Sequence, residues 1–158
     1  MLLCTRALSA AEPLHLVKDG KAVATIVRPK GSPPVRPEKA VDDEGQPTAE
    51  YQARYARYRQ QRNEYHWNIA MPARRLQEYV QKITGARLPI VEDGTEKAKA
   101  ATGPTVHVGL TDYVKGLNLP LESRFGQAIL IKRIGDRLVI AGGPRRGTVI
   151  AVTSFLET

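Results

Sequence analysis

The sequence predicts an α+β fold, a mixed β-sheet with helices packed on one face. Three observations carry this. Short β-branched runs such as Thr105–Val108 and Ala128–Ile134 are bounded by turn residues. Two longer segments, starting near Thr48 and near Pro72, repeat aromatic or apolar residues at helical spacing. The two kinds of element do not alternate regularly, as a doubly wound sheet would require. The 158 residues are 42% hydrophobic and 25% charged, the balance of one ordinary domain. No apolar run approaches the roughly 20 residues of a membrane helix, so a membrane-spanning chain is excluded. Cys4 is the one cysteine, which rules out an internal disulfide and a cysteine-based zinc site. The net charge of +8 is spread over both halves and calls for a polyanionic partner to be considered.

Residues 1–11 read either as the remnant of a clipped secretory signal or as a frayed terminus. Ser9 and Ala11 are the small residues that precede such a cut, and Arg6 breaks the apolar stretch. The first alternative implies a secreted or periplasmic protein, with one α+β domain over 12–158. Leu14 to Val27 predicts a hairpin, with His15–Val17 and Ala22–Val27 flanking a turn around Asp19-Gly20. Between residues 29 and 47, Pro29, Pro33, Pro34, Pro37 and Pro47 remove backbone donors and the acidic run Asp42-Asp43-Glu44 adds charge, so this segment is a surface excursion. Thr48 is the N-cap of a helix carrying Tyr51, Tyr55, Tyr58 and Tyr65. A second helix runs from Met71 or Pro72 to Thr84, with Ala73, Leu76, Val80 and Ile83 on one face and Gly85 as its stop. Pro72 would break a helix continuing from Tyr65, so two helices or one sharp kink are expected. Leu88–Val91 and Thr105–Val108 are strands, Lys97–Thr102 is a soft connection, and Thr111–Gly116 is one helical turn. Ala128–Ile134 and Arg137–Ala141 form a hairpin about Gly135-Asp136. Gly142-Gly143-Pro144-Arg145-Arg146-Gly147 then leads into a helix bearing Val149, Val152, Phe155 and Leu156. The chain stops at Thr158 inside that apolar pattern, as a piece of a longer polypeptide would.

Acid–base catalysis needs carboxylates or a histidine facing one another across a pocket. Asp42, Asp43 and Glu44 sit in one solvated turn, and His15, His66 and His107 lack ligand spacing, so no catalytic residue, metal site or cofactor is predicted. His107, between Val106 and Val108, reads as a sheet-face residue. Arg54, Arg57, Arg59 and Arg62 interleave with tyrosines in a pattern that suits nucleic acid, arginines on phosphates and rings on bases. Packing of the tyrosine stripe on the sheet explains the same pattern. The glycine–arginine turn offers a third possibility. Its glycines permit close backbone approach, the following helix start attracts anions, and Arg145 and Arg146 supply forks suited to a carboxylate.

Several segments together resemble one family pattern. Leu76 to Ile90 is similar to a helix followed by T-G-a-x-L-P-I, and Val106-His107-Val108-Gly109 to the strand I-x-V-G after it. Gln127–Ile131, Leu138–Gly143, Arg146–Val152 and Phe155-Leu156-Glu157 continue it in order. The chain resembles the N-terminal, non-catalytic domain that precedes the barrel in α-glucuronidase-like bacterial glycoside hydrolases, and is similar to the accessory domain of β-hexosaminidases. The resemblance covers roughly Leu14 to Thr158 and leaves 29–66 as an insertion outside the pattern. It implies an α+β sandwich whose partner is a C-terminal catalytic barrel, with the catalytic carboxylates on that barrel. The function expected is therefore an accessory domain of a carbohydrate-active enzyme, with Gly143, Arg145 and Arg146 reaching a uronate-containing sugar. A nucleic-acid module acting through Arg54, Arg57, Arg59 and Arg62 is the alternative.

Overall fold

The computed structural model describes residues 13–121, 128–144 and 146–157. The signal-like segment and Arg145 lie outside the described residues. β1 (Val17–Lys18) and β2 (Lys21–Ala22) pair antiparallel, with Val17 opposite Ala22. Asp19 and Gly20 hold φ of 51° and 70°, as a two-residue hairpin turn demands. The strand expected over 22–27 is divided. Ala22 ends the hairpin, while Thr25–Arg28 forms β3 and joins the main sheet.

That sheet has the order β4 (Ile90–Glu92), β3, β5 (Thr105–Val108), β7 (Arg137–Gly142) and β6 (Ile129–Ile134). The first four run parallel, and β6 returns antiparallel on β7 through Gly135-Asp136. The sheet is mixed and the fold is α+β. Arg28 and Glu92 lie opposite in the β3–β4 register, and their side chains form an ion pair of 2.9 Å.

Side-chain alternation assigns the two faces. Ile26, Val106, Val108, Leu138 and Ile140 point to one face, where Ala73, Leu76, Val80, Ala151 and Val152 close the main core. Val139 and Ala141 point to the other, where Val114 covers them with Tyr113, Leu117, Leu130 and Ile134 at the margin. The core-closing residues on the first face come from two helices, α2 (Met71–Thr84) and α5 (Gly147–Leu156). The second face carries the short α4 (Asp112–Gly116), N-capped by Thr111, whose hydroxyl accepts from the Val114 amide. The soft connection contains α3 (Glu96–Lys99), capped in the same way by Thr95.

The two expected helices meet in a way the sequence did not show. Helix α1 (Ala49–Glu64) does not stop at Tyr65. It widens into a π-helical turn over Tyr65–Ala70 and continues directly as α2. The Met71 amide donates to His66 O, five residues back, so the chain is already out of α register when Pro72 arrives without a donor. Pro72 occupies the first turn of α2, as expected, and is buried. Gly85, at φ 76°, closes α2 as expected. The buried face of α2 is Ala73, Leu76, Gln77 and Val80, with the Gln77 amide donating to Leu88 O at 2.6 Å. Ile83 is 74% exposed, because the final turn runs past the sheet-facing stripe.

A second correction concerns the tyrosines. α1 contributes no buried residue, and Tyr51, Tyr55 and Tyr58 do not pack on the sheet. They stack along the helix, with centroids 5.7 and 5.8 Å apart, and Arg36 of the proline-rich segment lies 5.6 Å over Tyr55. Thr48 caps α1 by accepting from the Tyr51 amide at 3.2 Å. The acidic run forms the turn before it, where the Asp42 carboxylate accepts from the Glu44 and Gln46 amides.

At the junction of β7 and α5, a Cβ on Gly142 would run into the Gly147 backbone, so strand and helix touch through bare backbone. Gly142→Ala is expected to lower unfolding free energy by about 3 kcal/mol, the scale of an overpacked core that cannot relax. Ile83→Ala, on the exposed end of α2, should change it by less than about 0.5 kcal/mol. Urea denaturation measures both, and an unchanged midpoint for Gly142→Ala would contradict this packing.

Candidate functional site

Two chain segments distant in sequence meet at the start of α5. One is the π-helical turn and the end of α1, which present Gln60, Asn63, Glu64, Trp67 and Asn68. The other is the glycine–arginine turn with Pro144 and Arg146. Together they line a cleft of about 600 Å³. The Gly142–Gly147 contact folds the turn back sharply and leaves Arg146 as N-cap of α5 at φ 59°, a left-handed conformation that costs a non-glycine residue free energy. Its guanidinium lies 4.5 Å over the Trp67 ring, a cation–π contact.

Asn68 bridges the two walls. Its Nδ2 donates to Pro144 O at 2.9 Å, while Oδ1 is buried with no hydrogen-bond partner. An orphaned acceptor of this kind costs about 1–3 kcal/mol. Beyond the bridge, a smaller cavity of about 230 Å³ continues between Lys30, Leu110, Lys115 and Thr148. π-helical turns are frequent where function needs a side chain re-aimed. Here the wide turn places Trp67 and Asn68 on the α5 side.

The residues expected from the sequence fall in different places. Gly143 is buried; its N–H donates to Ala128 O at 2.8 Å and its carbonyl accepts from Gly147 N at 3.1 Å, so its polar groups serve the fold. Arg146 faces the cleft. Arg54, Arg57, Arg59 and Arg62 are all exposed on α1, but they are divided around it. Arg54 and Arg57 border one groove with Tyr58 and Val35, Arg59 borders another with Tyr51 and Tyr55, and Arg54 also pairs with Glu50 at 3.9 Å. Sequence reading missed Gln60, Asn63, Glu64, Trp67 and Asn68. The signal available was the chain's one tryptophan standing beside an asparagine just ahead of a helix-internal proline.

A second polar cavity, about 330 Å³, opens on the other face of the sheet between Asp93, Lys99, Thr105, His107, Asp136 and Arg137. His107 is a sheet-face residue, as expected. Its Nδ1 lies 3.0 Å from Thr111 Oγ1, its Nε2 3.3 Å from Thr105 Oγ1, and its ring tilts against Tyr113, over which Arg137 stacks at 4.4 Å. Burial first, and the Arg137 charge second, hold His107 below the ordinary histidine pKa of 6.5, against a smaller opposing pull from Asp93. The native state thus keeps His107 neutral, whereas the unfolded chain takes up a proton once pH falls below about 6.5. Stability should be full above that value and decline as pH drops toward the depressed native pKa. In urea titrations between about pH 7.5 and pH 5, His107→Gln should flatten the part of the decline that this proton uptake causes. A mutant profile as steep as the wild type would contradict the assignment. No family model, curated protein or solved structure matches the chain.

Proposed function

We propose that this chain is a non-catalytic accessory domain of a carbohydrate-active enzyme of the α-glucuronidase-like kind, packing on a catalytic barrel of its parent protein and contributing the Trp67–Arg146 cleft to sugar contact. The observation that carries the reading is the Arg146 guanidinium stacked on Trp67 in a cleft otherwise walled by amides. An indole offers an apolar face with a polar edge, which suits the mixed surface of a pyranose ring. The side-chain amides of Gln60 and Asn63 both donate and accept, as hydroxyl groups require. Arg146 supplies the fork that holds a carboxylate, which selects a uronate over a neutral sugar.

Glu64 is the one carboxylate among the described residues lining the cleft. Glycoside hydrolysis generally uses two carboxyl groups flanking the bond, so this reading assigns cleavage to the barrel and binding to the cleft. The reading requires no cofactor. The nucleic-acid alternative requires one continuous cationic stripe, and the division of Arg54 and Arg57 from Arg59 across the tyrosines weighs against it.

Calorimetric titration of the 158-residue chain with glucuronate and with glucose tests the proposal. Glucuronate should bind more tightly. Arg146→Gly, which suits the left-handed backbone, should weaken it at least tenfold, about 1.4 kcal/mol, without loss of folding. Arg145→Ala and Trp67→Ala complete the series. Equal affinity for the two sugars, or unchanged affinity in Arg146→Gly, would overturn the reading.

A further inference from the structure

The protons between His107 and its two threonines are placed by elimination. Thr111 is fully buried, and its Oγ1 accepts from the Val114 amide as the cap of α4. The Thr111 hydroxyl proton still needs an acceptor, and the one within reach among the described residues is His107 Nδ1, at 3.0 Å. A neutral imidazole that accepts at Nδ1 carries its proton on Nε2, which donates to Thr105 Oγ1 at 3.3 Å. The cap of α4 and the histidine on β5 are therefore joined through one hydroxyl, which faces the helix with its oxygen and the imidazole with its proton.

We propose that His107 and Thr111 form a proton-operated latch that holds α4 on the second face of the sheet at neutral pH and releases it in acid. Charging His107 adds a proton at Nδ1, so both ring nitrogens become donors and the Thr111 hydroxyl loses its acceptor. Thr111 then either keeps a buried hydroxyl proton unpaired or turns away and uncaps α4. The helix is only five residues long, and its other ties are few. Val114 packs over Val139 and Ala141, the Asp112 amide donates to the Asp93 carboxylate, and Tyr113 lies against the His107 ring. Asp112 also pairs with Lys30 and Lys115 at 3.5 and 3.6 Å, exposed contacts of little weight. Charging His107 strains the tyrosine tie as well, because Arg137 already stacks on the same ring at 4.4 Å.

The groups facing His107 set how acid the medium must be. Burial and Arg137 on β7 oppose its charge, while Asp93 beyond β4 favours it more weakly. Asp136 and Lys99 border the same cavity but stand beside opposite charges of their own, Arg137 at 4.0 Å and Glu96 at 2.8 Å. The latch thus stays closed until the pH lies below the ordinary histidine range. Opening it bares Val139 and Ala141, which are otherwise buried.

Nuclear magnetic resonance of the full chain from about pH 7.5 to about pH 4.5 tests the latch, a span that covers histidine and stays above the ordinary carboxylate values. At neutral pH the long-range proton–nitrogen pattern of His107 should be that of the Nε2–H tautomer. As His107 takes up its second proton, exchange protection of the Val114 and Lys115 amides, which bond to Thr111, should fall at least tenfold with the same midpoint. The Val80 amide in α2 should keep its protection. His107→Gln, which does not titrate, should abolish the response. Thr111→Val, with neither cap nor hydroxyl, should leave the two amides weakly protected at every pH, and Thr111→Ser should restore the wild-type behaviour. An Nδ1–H tautomer, α4 amides indifferent to the charging of His107, or a response that survives in His107→Gln overturns the proposal. So does loss of protection at Val80 together with α4, because global acid unfolding needs no latch.

Discussion

The contact between Gly142 and Gly147 governs the rest of the structure. Backbone touching backbone lets α5 fold directly onto β7, so Ala151 and Val152 reach the same core as Leu138 and Ile140. The same geometry leaves Arg146 in a left-handed conformation with its side chain thrown across to Trp67. One steric constraint therefore closes the core and aims the one described arginine of the turn into the cleft. The glycines need not touch a ligand to matter; they set the corner from which Arg146 points.

The opposite wall depends on a different irregularity. A regular α-helix through Tyr65–Ala70 would bring Pro72 into conflict with the turn before it. The wide turn avoids that conflict and rotates Trp67 and Asn68 relative to the buried stripe of α2. Asn68 then spends its amide N–H on Pro144 and leaves its oxygen unpaired. Both walls hold residues away from their lowest-energy local state, Arg146 through its backbone and Asn68 through its unmet acceptor. Such concentrations of local strain recur at binding sites.

Much of the scaffold was legible because it obeys local rules. The Thr48 cap, the Gly85 stop, the Asp19-Gly20 and Gly135-Asp136 turns and the β5 strand follow from chemistry within a few residues. The sequence reading went wrong where distant packing decides. Pro72 reads as a breaker unless the preceding turn is known to be widened. The tyrosine stripe reads as a core face unless the partner is known to be the proline-rich segment rather than the sheet. Half of the cleft was visible for a related reason. Arg146 stands in a turn with recognisable chemistry, but Trp67 and Asn68 acquire meaning only when α5 brings that turn beside them.

The central claim is that the junction of the π-helical turn and the glycine–arginine turn is a surface built to receive an anionic sugar. Trp67 is the chain's one tryptophan, so its emission reports on that junction alone. Titrating glucuronate to about 50 mM, beyond the millimolar dissociation constants usual for single sugars held by a few contacts, should produce a saturating change in Trp67 emission that glucose at equal concentration does not. Emission that stays flat, or that drifts identically with both sugars, would contradict the account.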